Sequence, residues 1–167
     1  MIESIPKIIG RNPEVKFVFV GPIDDPEYFR EIYRTLYSRS LTEHCVFTGT
    51  VPSCLLPDYF ATADVCVVPS ITEAGPPLTL LQAMSSARAI VASSIAQNVE
   101  AAKQGDEIVF VDPLNEEQLS VAINKLFADE KCRKRLGEKA REIAIKNFDW
   151  KSTAKATMCL YEGILSR

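Results

Sequence analysis

A single histidine, a single tryptophan and only seven glycines are spread over 167 residues, and no glycines gather into a phosphate-cradling loop. The five cysteines, Cys45, Cys54, Cys66, Cys132 and Cys159, are odd in number and form no C-x-x-C pair, and only His44 is present to share ligand duty. That pattern excludes a zinc ribbon or a disulfide framework, and no metal site is expected. Positive charge is not in excess either: 19 lysines and arginines face 22 acids, for a net charge of −3. Such a chain has no general attraction for nucleic acid or anionic membrane, so a phosphate-bearing ligand must be held by local geometry. No apolar run approaches the ~20 residues needed to span a bilayer. The opening MIESIPKIIGRNPEVK, interrupted by Pro6 and Gly10, does not resemble a signal peptide, and the expected location is cytoplasmic.

With 47% hydrophobic and 25% charged residues the composition is that of an ordinary globular protein, and the length suits one domain over residues 1–167. Five short runs rich in Val, Ile and Phe recur: KFVFVG (Lys16 to Gly21), CVFTG (Cys45 to Gly49), VCVVPS (Val65 to Ser70), AIVAS (Ala89 to Ser93) and EIVFV (Glu107 to Val111). Near-continuous apolar runs of this length are strands buried on both faces. Segments with helical spacing separate them. Tyr28, Phe29, Ile32, Tyr33 and Leu36 form one stripe, and Leu78, Leu81 and Ala83 belong to a second helix. Strand and helix in alternation predict βαβ crossovers and an α/β, doubly wound parallel sheet.

After Val111 the sequence turns helical. Asn115 is placed to cap a helix carrying Leu119, Ile123 and Leu126, and Asp129 one with Cys132, Leu136, Ala140 and Ile143 on one face. Asp149 then precedes a last helix with Trp150, Ala154, Met158, Tyr161 and Ile164. In DEKCRKRLGEKAREIAIK acids and bases are interspersed, so the run reads as a solvated helix face rather than a phosphate-binding patch. Cys45 and Cys66 lie in apolar runs and read as small hydrophobes, and His44 as a residue at a strand edge.

In open parallel sheets ligands sit at the carboxyl ends of strands, where loops lead into helix N-termini. Three such loops stand out: VGPIDDP, GTVPSCLLP and PSITEAGPP. In the last, the chain turns through Ala74 and Gly75 and enters a helix near Pro77, a residue suited to a first turn because its missing N–H would have no helical partner. The N–H groups of Gly75, Leu78 and Thr79 could face an anion, assisted by the helix dipole. Pro76 and Pro77 each remove a donor, which the Thr79 hydroxyl partly replaces. The loop therefore reads either as an anion site or as a plain helix-capping loop.

The motifs VKFVFVG, VFTGTVP, YFATADVCVVPS, TEAGPPLTLLQAM, AIVAS, VFVDPLNEEQLSVAINKLFAD, KRLGEKARE and FDW occur in one order along the chain. Together they are similar to the C-terminal, nucleotide-sugar-binding domain of the retaining family-four (group 1) glycosyltransferases, enzymes of GT-B fold. The resemblance implies a Rossmann-like half-molecule. Its donor would be a UDP- or GDP-hexose lined by Gly21, Thr50, Val51, Pro52, Gly75, Leu78, Thr79 and Gln82, with Glu73 as the catalytic acid that orients sugar hydroxyls. It implies no separate cofactor and no nucleic acid. It also implies an N-terminal glycosyltransferase domain or separate subunit that supplies the acceptor half, without which the isolated chain would be inactive.

The sequence departs from the family pattern at several points. The signature's second glutamate is Gln82, which can bond a ribose hydroxyl only without charge assistance. Glu73 precedes Gln82 by nine residues instead of eight, and counting back eight lands on Ala74. Either the proline pair carries a one-residue insertion and Glu73 still reaches the sugar, or that role is lost. Gln97 and Asn98 replace a family Gly-Gly pair, implying a narrower pocket, and Glu100 reads as the beginning of a helix. The family's central first strand also has no counterpart, since IESIPKIIGRNPE corresponds to the helix that follows it. The sheet would then close over the gap, borrow a strand, or belong to a longer protein. Unpaired edges of that kind also invite a homo-oligomer. Two readings follow: the donor half of an enzyme, or a non-catalytic nucleotide-binding or protein-interaction module of the same fold.

Overall fold

The computed structural model describes residues 1–75, 77–102 and 106–165. Pro76, one of the two prolines expected to thin the anion cradle, lies outside them. Five strands alternate with helices: α1 (Ile5–Ile9), β1 (Phe17–Val20), α2 (Pro26–Ser38), β2 (Cys45–Gly49), α3 (Leu56–Thr62), β3 (Val65–Val68), α4 (Leu78–Ser85), β4 (Ala89–Ser93), α5 (Ala96–Ala102) and β5 (Ile108–Val111). The helical third follows as α6 (Glu116–Ala128), α7 (Glu130–Phe148) and α8 (Trp150–Leu165). The strands fall within a residue or two of the expected runs, and the α/β architecture with a helical C-terminal third is as the sequence predicts.

The helix starts have local causes. Asp25 accepts from the amides of Glu27 at 2.9 Å and Tyr28 at 3.0 Å, with Pro26 at the first helical position of α2. Asn115 caps α6 through Gln118 N at 3.0 Å, and Asp129 caps α7 through Cys132 N at 2.9 Å. Each such cap contributes about 1 kcal/mol.

Every strand pair is parallel, yet among the described residues the strands form two half-sheets, β1-β2 and β3-β4-β5, with no ladder between β1 and β3. Among these residues the sheet therefore does not close between β1 and β3. Side chains alternate between two cores. Phe17 and Phe19 of β1 join Val65 and Val67 of β3, Ala89 and Val91 of β4, and Ile5 and Ile8 of α1 in one. Cys66, Val68, Ile90, Ala92 and Ile108 face the other with Leu80, Ala83 and Met84 of α4. The first core thus draws on both half-sheets and holds them in one layer.

Burial on both faces holds for β4, which is buried at every position, but not for β1 and β2. Val18, Val20 and Val46 are 51%, 40% and 47% exposed, because among the described residues no helix covers that face of the first half-sheet. The α2 stripe is likewise narrower than its spacing suggested. Leu36 is buried and Phe29 and Ile32 are half-buried, whereas Tyr28 and Tyr33 point outward at the edge of the layer.

The tail divides sharply. Leu119, Ile123 and Leu126 of α6 and Leu136, Ala140 and Ile143 of α7 are buried as expected, and most charges of α7 are exposed, while Arg133 donates to the Leu126 and Phe127 carbonyls at the end of α6. Gly137 lets α7 approach the Ala87 backbone at the turn after α4, and Arg141 donates to the Ser85 carbonyl there. In contrast α8 has no buried residue among those described: Trp150 is 83% and Tyr161 61% exposed, so its apolar residues are left largely uncovered.

Candidate functional site

The loops expected to form a site lie at the carboxyl ends of β1, β2 and β3. Gly21 directly follows β1 at a φ of +150°, and its amide donates to Gly49 O at 3.1 Å, where Gly49 itself has a φ of +67°. Both glycines occupy backbone that side chains rarely tolerate, which lets the two strands end side by side in tight turns. Thr50, Val51 and Pro52 continue from Gly49 into a turn of helix over Ser53–Leu55 and then α3. Gly21 and the 50–52 segment are thus brought together as one group.

The second group follows β3. Pro77 has extended backbone (φ −67°, ψ 132°) and makes no side-chain cap, and its carbonyl accepts from Leu80 N at 2.9 Å and Leu81 N at 3.2 Å. The amides of Leu78 and Thr79 therefore precede the first intrahelical bond of α4, and they sit at its positive end. Both residues are exposed, Leu78 at 67%. Gln82 lies one turn further on, half-buried, four residues after Leu78 and hence on the same helix face. Leu80, Ala83 and Met84 anchor the opposite face in the core. Burying Leu80 alone stabilises α4 by about 1.5–3 kcal/mol.

Glu73 is half-buried in this loop, and Ser70 Oγ donates to its Oε1 at 2.7 Å. Ser70 was not singled out from the sequence. Its only mark in the sequence is its position three residues before Glu73. Gly75 is half-buried between Glu73 and the helix start.

The segment after β4, outside these three loops, differs from expectation. Asn98 does not line a pocket: it is fully buried, and its Nδ2 donates to Ser93 O at 2.9 Å, tying α5 to the end of β4. Glu100 lies inside α5, not at its beginning, and is exposed. Gln97 is half-buried on the same helix.

Other chemistry is sparse among the described residues. No cluster of His, Cys, Asp and Glu with metal-binding geometry occurs there. His44 Nδ1 lies 2.9 Å from Val15 O and, donating to it, pins the start of β2. Burial pushes the Cys45 thiol up and that of Cys66 up to about 11, consistent with both acting as hydrophobes. Two clefts lie away from the α4 mouth. One of about 390 Å³ runs along Phe29, Arg30, Tyr33 and Arg34 of α2. One of about 130 Å³ is lined by Asp64, Arg88, Glu130, Arg133 and Lys134, near the amino ends of β3 and β4.

Residues 1–129 match the family model described as glycosyl transferases group 1. A GDP-mannose-dependent alpha-(1-6)-phosphatidylinositol monomannoside mannosyltransferase of Mycolicibacterium smegmatis is 25% identical over 169 residues, covering 98% of this chain and 44% of the relative. Among solved structures, sucrose-phosphate synthase from Thermosynechococcus elongatus superposes with a TM-score of 0.86 at 25% identity, over 99% of this chain and 42% of that one. HepE from Anabaena, solved in complex with UDP-glucose, gives 0.80 at 19% identity, over 97% of this chain and 45% of that one. The chain spans between 26% and 44% of the length of the curated relatives compared, in every case less than half.

Proposed function

Because the chain belongs to the group 1 glycosyl transferases and has the α/β fold of the C-terminal half of GT-B enzymes, we propose that it is the donor-binding half of a retaining glycosyltransferase. The ligand is a nucleotide-diphosphate hexose, with UDP or GDP as nucleotide. The observation that carries this reading is the α4 mouth, where Glu73, held by Ser70, stands beside a helix start whose first amides precede any intrahelical acceptor.

The geometry supports the following assignment of roles, which is part of the proposal. The amides of Gly75, Leu78 and Thr79, with the Thr79 hydroxyl, take the diphosphate, aided by about 0.3–1 kcal/mol from the helix dipole. Gln82, on the same face as Leu78, bonds the ribose through its carbonyl and amide. Gly21 and Thr50 to Pro52 line the base. Glu73 accepts from hydroxyls of the transferred sugar, and the Ser70 bond fixes the carboxylate for that purpose. Departure of the diphosphate, rather than attack by a protein nucleophile, opens the sugar to the acceptor. The acceptor is presented by an N-terminal domain or separate subunit, so the isolated chain binds donor without transferring it.

The relatives named above support the donor class: one uses GDP-mannose and another was solved with UDP-glucose. Calorimetric titration of the purified chain with UDP, GDP and their hexose conjugates tests the reading. One nucleotide family should bind at micromolar strength and weaken several-fold in Gln82→Ala. Absence of heat with every nucleotide, from a folded sample, would favour the non-catalytic module instead.

A further inference from the structure

We propose that the small cleft at the amino ends of β3 and β4 binds a small carboxylic acid that also carries a hydroxyl or ammonium donor, with Arg88 taking the carboxylate and Asp64 the donor. The cleft encloses about 130 Å³, well under the roughly 300 Å³ at which pockets for drug-sized ligands begin. A nucleotide sugar is too large for it, so the proposal stands apart from donor binding.

Three chain segments build the cleft. Asp64 directly precedes β3, Arg88 directly precedes β4, and Glu130, Arg133 and Lys134 come from the first turns of α7. Ala87, next to Arg88, has a φ of +54°, and Gly137 of α7 lies close against its carbonyl. The backbone that carries Arg88 is therefore held against the helix that carries Arg133.

Most of the charge around the cleft is already matched. Lys134 pairs with Glu130 at 2.6 Å, and one Nη of Arg133 donates to the Leu126 and Phe127 carbonyls at 2.6 Å and 2.9 Å. Arg88 and Asp64 are the exceptions: neither side chain has a hydrogen bond or ion pair, with the other or with any other described residue. Arg88 is half-buried, and its Nε is shut off from water with no acceptor. A guanidinium sheltered in this way gives up hydration without replacing it. Its terminal nitrogens are not shut off, and a carboxylate in the cleft accepts from them in the paired geometry that an arginine fork favours. Asp64, exposed on the β3 side, only accepts when ionised. The part of the ligand that faces it must donate, which a hydroxyl or an ammonium does and a second acid group does not. One unmatched cation facing one unmatched acid also favours a single negative charge over the two of a phosphate.

Titration of the isotope-labelled chain with acetate, glycolate, glycine and inorganic phosphate tests the site, at ionic strength held constant with chloride. Glycolate or glycine should shift the Arg88 Nε–H signal and the amides of Asp64, Arg88 and Arg133 saturably, and should bind about 3–10-fold tighter than acetate and phosphate. Arg88→Lys, which keeps the charge and loses the fork, should weaken binding by about tenfold. Asp64→Ala should abolish the preference over acetate. Circular dichroism checks that each variant is folded, and the wild-type Arg88 Nε–H shift decides the matter by itself where one is not. The proposal is overturned by shifts that fail to saturate or that chloride reproduces, by phosphate binding as tightly as glycolate and glycine, or by wild-type affinity in folded Arg88→Lys. Shifts confined to the α4 mouth overturn it too, since they assign the anion to the donor site.

Discussion

Ser70 Oγ donates to Glu73 Oε1 at 2.7 Å, fixing the carboxylate in the loop between β3 and α4. In the proposed site this bond orients the group that reads the sugar, while the nucleotide is held elsewhere. Ser70→Ala should therefore weaken a hexose conjugate by about 3–10-fold, the scale of one lost bond to a half-exposed charged acceptor. The bare nucleotide should bind unchanged, and Ser70→Thr should restore the difference. Paired titrations of each variant with UDP and UDP-glucose, or GDP and GDP-mannose, give the comparison.

In the proposed site Gln82 meets the ribose with a neutral amide. Charge-assisted hydrogen bonds are roughly twice as strong as neutral ones, so Gln82→Glu should tighten nucleotide binding by about 3–10-fold and Gln82→Ala should loosen it by about fivefold. The effect should vanish for inorganic pyrophosphate, which has no ribose. Equal effects on nucleotide and pyrophosphate would move Gln82 away from the ribose.

Gly137 and Gly163 give opposite responses to the same change. A Cβ at Gly137 would come within 2.2 Å of Ala87 O and 2.6 Å of its carbonyl carbon, backbone atoms that cannot swing aside. Overpacking there should outweigh the helix-propensity gain, and Gly137→Ala should cost about 2 kcal/mol or more in urea denaturation. Nothing lies within 4 Å of a Cβ at Gly163. Gly163→Ala should leave global stability unchanged or raise it by up to about 1 kcal/mol, with more helix by circular dichroism.

The thiols separate by burial. Cys54 and Cys159 are exposed and should react with a disulfide reagent at pH 8 in the native protein, whereas Cys66 should react only on unfolding. Its thiol is pushed up to about 11 from an ordinary 9.0, chiefly by burial and slightly offset by Arg88. A raised folded value means that the contribution is intact below pH 9 and is lost as pH climbs toward 11. Chemical denaturation across that window should show a loss on the order of 2 kcal/mol that Cys66→Ala does not.

The strands were legible because each is a compact apolar run, and AIVAS shows it best, since β4 is buried at every residue. The caps at Asn115 and Asp129 were legible because short polar side chains at helix starts have few other uses. What escaped was set by neighbours that a linear pattern does not contain. Val18 and Val46 look like core residues, but no element among those described covers their face. Asn98 looked like a pocket residue and is instead a buried tie to Ser93 O. Within the site, the loops and the α4 start could be placed from the sequence, while Ser70 as partner of Glu73 became visible only in the structure.

The central claim is that nucleotide-sugar binds at the carboxyl ends of β1, β2 and β3. Titrating the isotope-labelled chain with UDP-glucose and with GDP-mannose, while following backbone amide chemical shifts, tests it most directly. The account predicts that one of them shifts Gly21, Gly49 to Val51, Ser70, Gly75, Leu78, Thr79 and Gln82, and leaves Asp64, Arg88 and Arg133 at the opposite end unmoved. Shifts centred on that opposite end, or none at all in a folded sample at millimolar ligand, would contradict it.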